Sequence, residues 1–142
     1  MGSESTTIWG IHAGKTGDAD SLFRQKGFVA LGWHELGDLG SLAPNREAFK
    51  DAVSTAIPTY KPGAVPVAAG QLFRFVHEMC QDDLVVYRSK VTKRIHIGRV
   101  TGAYDYRPDI EPGYPHLRVT TWLTDVEPKQ MTQGALYELG SE

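Results

Sequence analysis

Leu84 to Tyr106 reads LVVYRSKVTKRIHIGRVTGAYDY, two β-branched and aromatic runs on either side of VTK. Such runs, parted by a short polar segment, predict a β-hairpin with its tip at or near Val91–Lys93. Period-two geometry places Val85, Tyr87 and Ser89 on one face of the first strand and Val86 and Arg88 on the other. Charge is concentrated here too. Residues 84–107 hold six Lys/Arg (Arg88, Lys90, Lys93, Arg94, Arg99, Arg107) against one acid, Asp105, while residues 108–142 hold two against six. The whole chain carries a formal charge of −2. A basic hairpin beside tyrosines suits a phosphate backbone and a stacked base. The same pattern also describes a solvated charged face.

Working outward, QDD before the hairpin reads as a turn, so Asp82-Asp83 are turn residues before they are an acid–base pair. Upstream, Leu72, Phe75, Val76 and Met79 recur at helical spacing within Val67–Met79. Lys61–Pro66 (KPGAVP) is a loop, and a helix over Arg46–Ala56 is expected, with Asn45 as N-cap and Phe49, Val53 and Ala56 on one face. HELGDLGSLAP is Gly-punctuated turn. FVALGW reads as a strand finishing at Trp33, SLFRQKG as a short helix capped by Asp20 or Ser21 and closed by Gly27, and Thr6–His12 as the first strand. After the hairpin, RPDIEPGYP is a loop, HLRVTTWLTDV a long strand, and the tail a short helix from about Thr132. Residues 1–5 read as disordered. Helices and strands do not alternate, so the expectation is an α+β domain whose mainly antiparallel sheet forms a small, partly closed barrel flanked by helices.

Composition bounds the chemistry. The 142 residues suffice for one core, and 41 % hydrophobic with 23 % charged residues is ordinary for a globular chain. No apolar run approaches a membrane span, and the N-terminus lacks a signal-peptide pattern, so no membrane partner is expected. The lone Cys80 excludes an internal disulfide and reads as a small core hydrophobe, which points to a reducing cytoplasm. Five histidines stand at no metal-ligand spacing, so neither a metal nor a cofactor is expected. Gly14-Lys15-Thr16 lacks the upstream glycine of a phosphate loop, and Gly98–Gly102 lies within a strand, where a glycine marks a bulge or a close approach. Nothing resembles a catalytic triad. The aromatic residues in or beside strands either fill a core or line a wet pocket.

Several blocks, in order, carry a family resemblance: IWGIH, FVALGWHELGDLG, REAFK, VAAGQLFRFVHEM, DDLVVYRSK, RIHIGRVTGAYDY, YPHLRVTTWL and ALYELGS. Together they resemble the domain that precedes the catalytic domain in Mrr-type restriction endonucleases and, through DDLVVYRS and IGRV, the EVE domains of the PUA superfamily. Asp82 departs from that pattern, because such domains commonly have glycine before Asp83. The resemblance implies a PUA-like barrel that flips a modified, methylated base of double-stranded DNA into an aromatic pocket. The chain would be one sensor domain over 1–142, the N-terminal part of a longer restriction protein, with no catalytic residue of its own. Trp33 and Tyr87 are the expected pocket walls, with Trp9 and Tyr104 behind them. His12, Ser89 and the main chain of Gly10–Ala13 are candidates for the base edge. Lys15, Arg88, Lys90, Lys93 and Arg94 are candidates for phosphates. An RNA-binding PUA-like module and a nucleotide sensor gating an attached effector are the alternatives.

Overall fold

The computed structural model describes residues 7–14 and 17–130. The chain runs β1 (Ile8–Ile11), α1 (Asp20–Arg24), β2 (Phe28–Leu31), α2 (Arg46–Ala56), α3 (Ala64–Phe73), a π turn (Arg74–Glu78), β3 (Leu84–Arg88), β4 (Ile95–Tyr106) and β5 (His116–Val126). Short 3₁₀ turns occupy Leu39–Ser41 and Pro128–Gln130. Expectation and structure agree best at α2, where the Asn45 side chain accepts from the Ala48 amide at 2.8 Å, and at β5, which covers HLRVTTWLTDV.

The strands form one mixed sheet in the order β1-β3-β4-β5-β2. The β3–β4 hairpin pairs Leu84 with Arg99 and Arg88 with Ile95. β1 lies parallel to β3, with Ile8 opposite Leu84, and the other pairings are antiparallel. β1 and β2 form the two edges and do not pair with each other, so the sheet is not closed into a barrel. The expected closure fails because β1 ladders only with β3 and β2 only with β5, both four-residue strands, so no hydrogen bonds join the two edges.

Two apolar clusters fill the interior. Trp9, Phe23, Val29, Val85 and Leu117 belong to the one under the sheet and α1, whereas Leu39, Phe49, Val53 and Leu72 belong to the one between the helices. Tyr104 packs against both. α3 starts three residues before the expected helix, with Pro66 in its first turn, where the missing N–H has no intrahelical partner to lose. Its last turn then widens to a π turn closed by Met79 N–H to Arg74 C=O at 2.7 Å. Cys80 follows that turn and is exposed, so it is not the core residue expected from the helical stripe.

The inner face of β5 is polar. His116, Arg118 and Thr120 are buried while Val119 is 46 % and Leu123 49 % exposed. Arg118 satisfies two irregular stretches at once. Its Nε donates to the Gly102 carbonyl at 2.9 Å, inside the register shift between Val100 and Tyr104 of β4. Its Nη1 donates to the Phe75 and Met79 carbonyls at 2.9 and 2.7 Å, at the π turn. Gly98, at the other register shift, permits a close approach, since a Cβ there would stand 2.7 Å from the Trp122 ring. Asp82 has a φ of 78°, a left-handed turn position that glycine fills most easily and that aspartate tolerates.

Replacing Arg118 by Met keeps an unbranched side chain but removes the donors to three carbonyls. Each buried carbonyl left unpaired costs about 1–3 kcal/mol, so a large drop in the urea midpoint is expected. Arg118→Lys should recover only part of it, because a point charge does not reproduce the guanidinium fork. An unchanged midpoint in the Met variant would remove Arg118 from this role.

Candidate nucleic-acid interface

Four segments meet along one rim: the loop after β1, the end of β2, the hairpin tip and the loop before β5. Gly14 and Gly17 each have a φ of 80°, which turns the first loop sharply. A Cβ on Gly17 would lie 3.3 Å from the Lys90 stem, so this loop packs against the hairpin tip. A Cβ on Gly14 would collide with the Tyr114 hydroxyl and the Asp18 carboxylate. The Tyr114 hydroxyl donates to Asp18 at 2.5 Å, joining the first loop to the segment before β5. Burial and that bond to the carboxylate push the Tyr114 pKa up to about 12. The Tyr114 ring also lies against Gly32, and so reaches the end of β2.

Trp33 stands just beyond β2, with a φ of 43°. A bulky non-glycine residue in this region is strained and needs its surroundings to hold it. The holding contacts are specific. His116 is fully buried, and burial lowers its pKa, so the ring is neutral. Its Nε2 faces the Trp33 carbonyl at 3.1 Å and therefore carries the proton, while its Nδ1 accepts from the Tyr104 hydroxyl at 2.8 Å. The Tyr104 oxygen in turn accepts from the Leu39 amide at 3.1 Å. The Trp33 indole N–H donates to the Tyr60 hydroxyl at 3.0 Å. Trp33 and Tyr60 line an open, largely apolar groove of about 350 Å³ with Ala64, Val67, Ala68 and Gln71.

The hairpin tip is held by a buried carboxylate. Asp20 is 5 % exposed and accepts from the hydroxyls of Tyr87 and Ser89, each at 2.6 Å, and from Arg24 Nε at 2.9 Å. It is the first residue of α1, and the N-cap position belongs to Ala19, which makes no side-chain cap. The expected capping role gives way to a tertiary one. Burial works to raise the Asp20 pKa, but the bonds from Arg24, Ser89 and Tyr87, with the Arg24 charge, hold it below its ordinary value. Ser89 Oγ also accepts from the Val91 and Thr92 amides at 3.1 and 3.0 Å, which shapes the turn. A second buried carboxylate, Asp83, accepts from Trp9 Nε1 at 3.0 Å and from the Cys80 amide at 2.8 Å.

These contacts redistribute the expected site. Tyr87 and Ser89 are each 1 % exposed and both hydroxyls serve Asp20, so they support the rim from inside and do not wall an open pocket. Trp9, 8 % exposed and bonded to Asp83, is likewise a core residue. Tyr104 is half-buried and acts on Trp33 through His116. Trp33 is half-buried too, packed against the cluster between the helices, and His12 is exposed, at the ends of β2 and β1. Gly10 and Ile11 pair with Val86 and Tyr87, so that stretch of main chain is ladder-bonded on one side. Arg88, Lys90 and Lys93 are exposed. Arg94 is different: it lies 3.4 Å from Asp125 and 4.0 Å from Glu127, so acids at the end of β5 and beyond it offset its charge. Lys15 and the expected tail helix lie outside the described residues. Tyr60, Tyr114 and His116 were not among the expected site residues. Tyr60 and Tyr114 sit in loops, where no periodicity marks a side chain as facing a site.

A second groove, of about 720 Å³, runs between the 35–42 loop and α2, with Glu35, Asp38 and Asp51 on its rim. Its sign is wrong for a phosphate backbone. Among the described residues, no group of three or more His, Cys, Asp or Glu is placed to hold a metal ion, and no helix is long and apolar enough to cross a membrane.

Residues 9–140 match the family described as Domain of unknown function (DUF8426). No curated protein and no solved structure matches the chain.

The Asp20 shift has a pH signature. A carboxyl whose folded pKa lies below its unfolded value adds stability above the unfolded pKa and loses it as pH falls through the folded one. The urea midpoint should therefore decline as pH drops from neutrality through the carboxylate range. Asp20→Asn should start from a lower midpoint and decline less steeply. Parallel curves for the two proteins would mean that Asp20 does not carry this linkage.

Proposed function

The chain belongs to the family of domains of unknown function DUF8426, and we propose that it is a non-catalytic reader of a modified base in double-stranded DNA. One observation carries the reading. Trp33 offers a partly buried indole on an apolar groove, from a backbone conformation that the half-buried Tyr104 and buried His116 hold in place. Strained residues of this kind cluster at ligand sites, where the surrounding structure holds what the local chain would avoid. A rigid aromatic face at a groove is what a nucleobase stacks on, at roughly 1–3 kcal/mol per base.

The rest of the rim supports the same partner. Arg88, Lys90 and Lys93 supply exposed positive charge for phosphates, and the glycine-shaped loop after β1 brings backbone close to the hairpin tip. A modified base buried inside a duplex shows little of its added group, so extruding it, at a cost of roughly a few kcal/mol, exposes the whole ring for inspection. A methyl group enclosed against an aromatic adds about 0.8 kcal/mol of discrimination. On this reading the chain is the cytoplasmic sensor of a modification-dependent restriction system. Its open sheet is then a variant of the PUA/EVE-like architecture, with Tyr114 joining Asp18 of the first loop to Gly32 at the end of β2.

The test is a titration of duplexes carrying 5-methylcytosine, 5-hydroxymethylcytosine, N4-methylcytosine, N6-methyladenine or no modification, at two salt concentrations. Preference for one modified duplex is expected, and Trp33→Ala should abolish it while leaving weak, salt-dependent binding. Equal weak binding across the panel would overturn the reading, and preference for matched RNA would move the partner to RNA. In the same assay, Arg88→Ala with Lys93→Ala should weaken every duplex and reduce the log–log salt slope by about 2, at roughly 0.9 per lost phosphate contact. Arg94→Ala should change that slope less, because Asp125 and Glu127 already offset its charge.

A further inference from the structure

Two guanidinium groups converge on one glycine of α3, away from the hairpin. A Cβ on Gly70 would stand 3.2 Å from Arg46 Nη1 and 3.3 Å from Arg74 Nη1. Gly70 is buried inside the helix, where glycine is less favourable than alanine. Its missing side chain is the room that the two arginines use.

The arginines come from different elements and are held differently. Arg46 opens α2 and lies over the Phe73 ring, 5.0 Å from its centroid. Its Nη2 donates to Glu78 at 3.0 Å, which leaves Nη1 toward Gly70. Arg74 follows Phe73 at the end of α3 and is half-buried, and among the described residues no carboxylate pairs with its side chain. Two cations set side by side against one carboxylate repel each other, and an oxyanion between them removes that repulsion. Guanidinium forks match phosphate oxygens in both charge and geometry.

The position of the pair identifies the kind of phosphate. Gln71 lines the groove beside Trp33 and Tyr60, together with Val67. Arg74, still helical at a φ of −62°, follows Val67 and Gln71 at i+7 and i+3, so the three share one face of α3. Arg74 stands about 4.5 Å beyond Gln71 along the helix axis. The apolar groove and the paired cations are thus consecutive stations on one helix face, as the base and the phosphate are on one nucleotide.

We infer that Arg46 and Arg74 form an oxyanion site over Gly70, which takes the phosphate of the nucleotide whose base lies on Trp33. This rests on the stacking role proposed for Trp33 above. The site gives the groove a direction, with the base at the Trp33 end and the phosphate at the end of α3. A phosphate in a strand and one on a free nucleotide present the same chemistry, and the experiment separates the two sources.

The test reads the arginines directly, by nitrogen-15 NMR of their Nε–H groups in the full chain. Inorganic phosphate, the modified nucleosides and their 5′-monophosphates are added in turn. The monophosphate of the preferred nucleoside should shift the Arg46 and Arg74 signals and bind about tenfold more tightly than the nucleoside, with inorganic phosphate far weaker. Arg74→Gln should abolish that difference and leave nucleoside affinity as it was. Gly70→Ala keeps both charges but displaces the guanidiniums, and should act as Arg74→Gln does. Alanine suits a helix interior, so an undiminished urea midpoint will show that this variant is folded. On the preferred duplex, Arg74→Gln should lower the log–log salt slope by about 0.9. Equal affinity for nucleoside and monophosphate, with the arginine signals unmoved, would overturn the site; if Trp33→Ala still loses discrimination among duplexes, the reader stands without it. Inorganic phosphate binding as tightly as the monophosphate would overturn the link to the groove. Parental behaviour in Gly70→Ala beside a loss in Arg74→Gln would overturn the site too, by reducing Arg74 to a diffuse charge. A parent chain that binds the monophosphate but prefers no modified duplex would overturn the reader, keep the site and make its ligand a free nucleotide.

Discussion

A buried guanidinium bonded to main-chain carbonyls holds this fold together. Arg118 is 3 % exposed, and its three hydrogen bonds go to main-chain carbonyls of Gly102, Phe75 and Met79. One of those carbonyls lies within the π turn, one directly after it and the third within the register shift of β4, so one side chain answers two irregularities that would otherwise leave buried acceptors unpaired. Burial lowers its pKa, yet a guanidinium stays charged at physiological pH, and carbonyl dipoles at a helix end favour that charge. The π turn after α3 is thereby tied to β4 and β5 in one register.

The β4 register shift has a second consequence. It ends at Tyr104, opposite Arg118, and Tyr104 reaches both His116 and the Leu39 amide. His116, on the same face of β5, passes the constraint to the Trp33 carbonyl. Trp33 is therefore placed by side chains from two interior strands and not by its own segment. The hairpin tip follows the same logic through Asp20, which ties Ser89 and Tyr87 to α1. Polar residues buried under the rim determine which residues on it face outward.

Charge along the chain changes meaning once the chain folds. The sequence separates a basic stretch from an acidic one, but the antiparallel pairing of β4 with β5 brings them together. Arg94 meets Asp125 and Glu127, Arg107 meets Asp105 and Asp109, and Arg118 is buried. The positive surface is smaller than the sequence count indicates, with Arg88 and Lys93 among its exposed residues. Local charge counts do not report pairing between segments that are distant in sequence, as the contacts of Arg94 with Asp125 and Glu127 show.

Elements governed by short-range rules were legible in the chain: α2 with its Asn45 cap, the hairpin with its tip, the length of β5, and the crowded glycine at Gly98. Each follows from periodicity, capping chemistry or sterics within a few residues. The parallel pairing of β1 with β3, the open sheet edges, and the burial of Tyr87, Ser89 and Trp9 were not legible. Asp20 meets Tyr87 across 67 positions and Trp9 meets Asp83 across 74. The sequence by itself determined which residues can form strands, helices and turns, because those preferences are local. Only the tertiary structure decided which polar groups would be buried as supports and which aromatics would fill the core, because a buried hydrogen bond needs a partner that the chain brings in from far away.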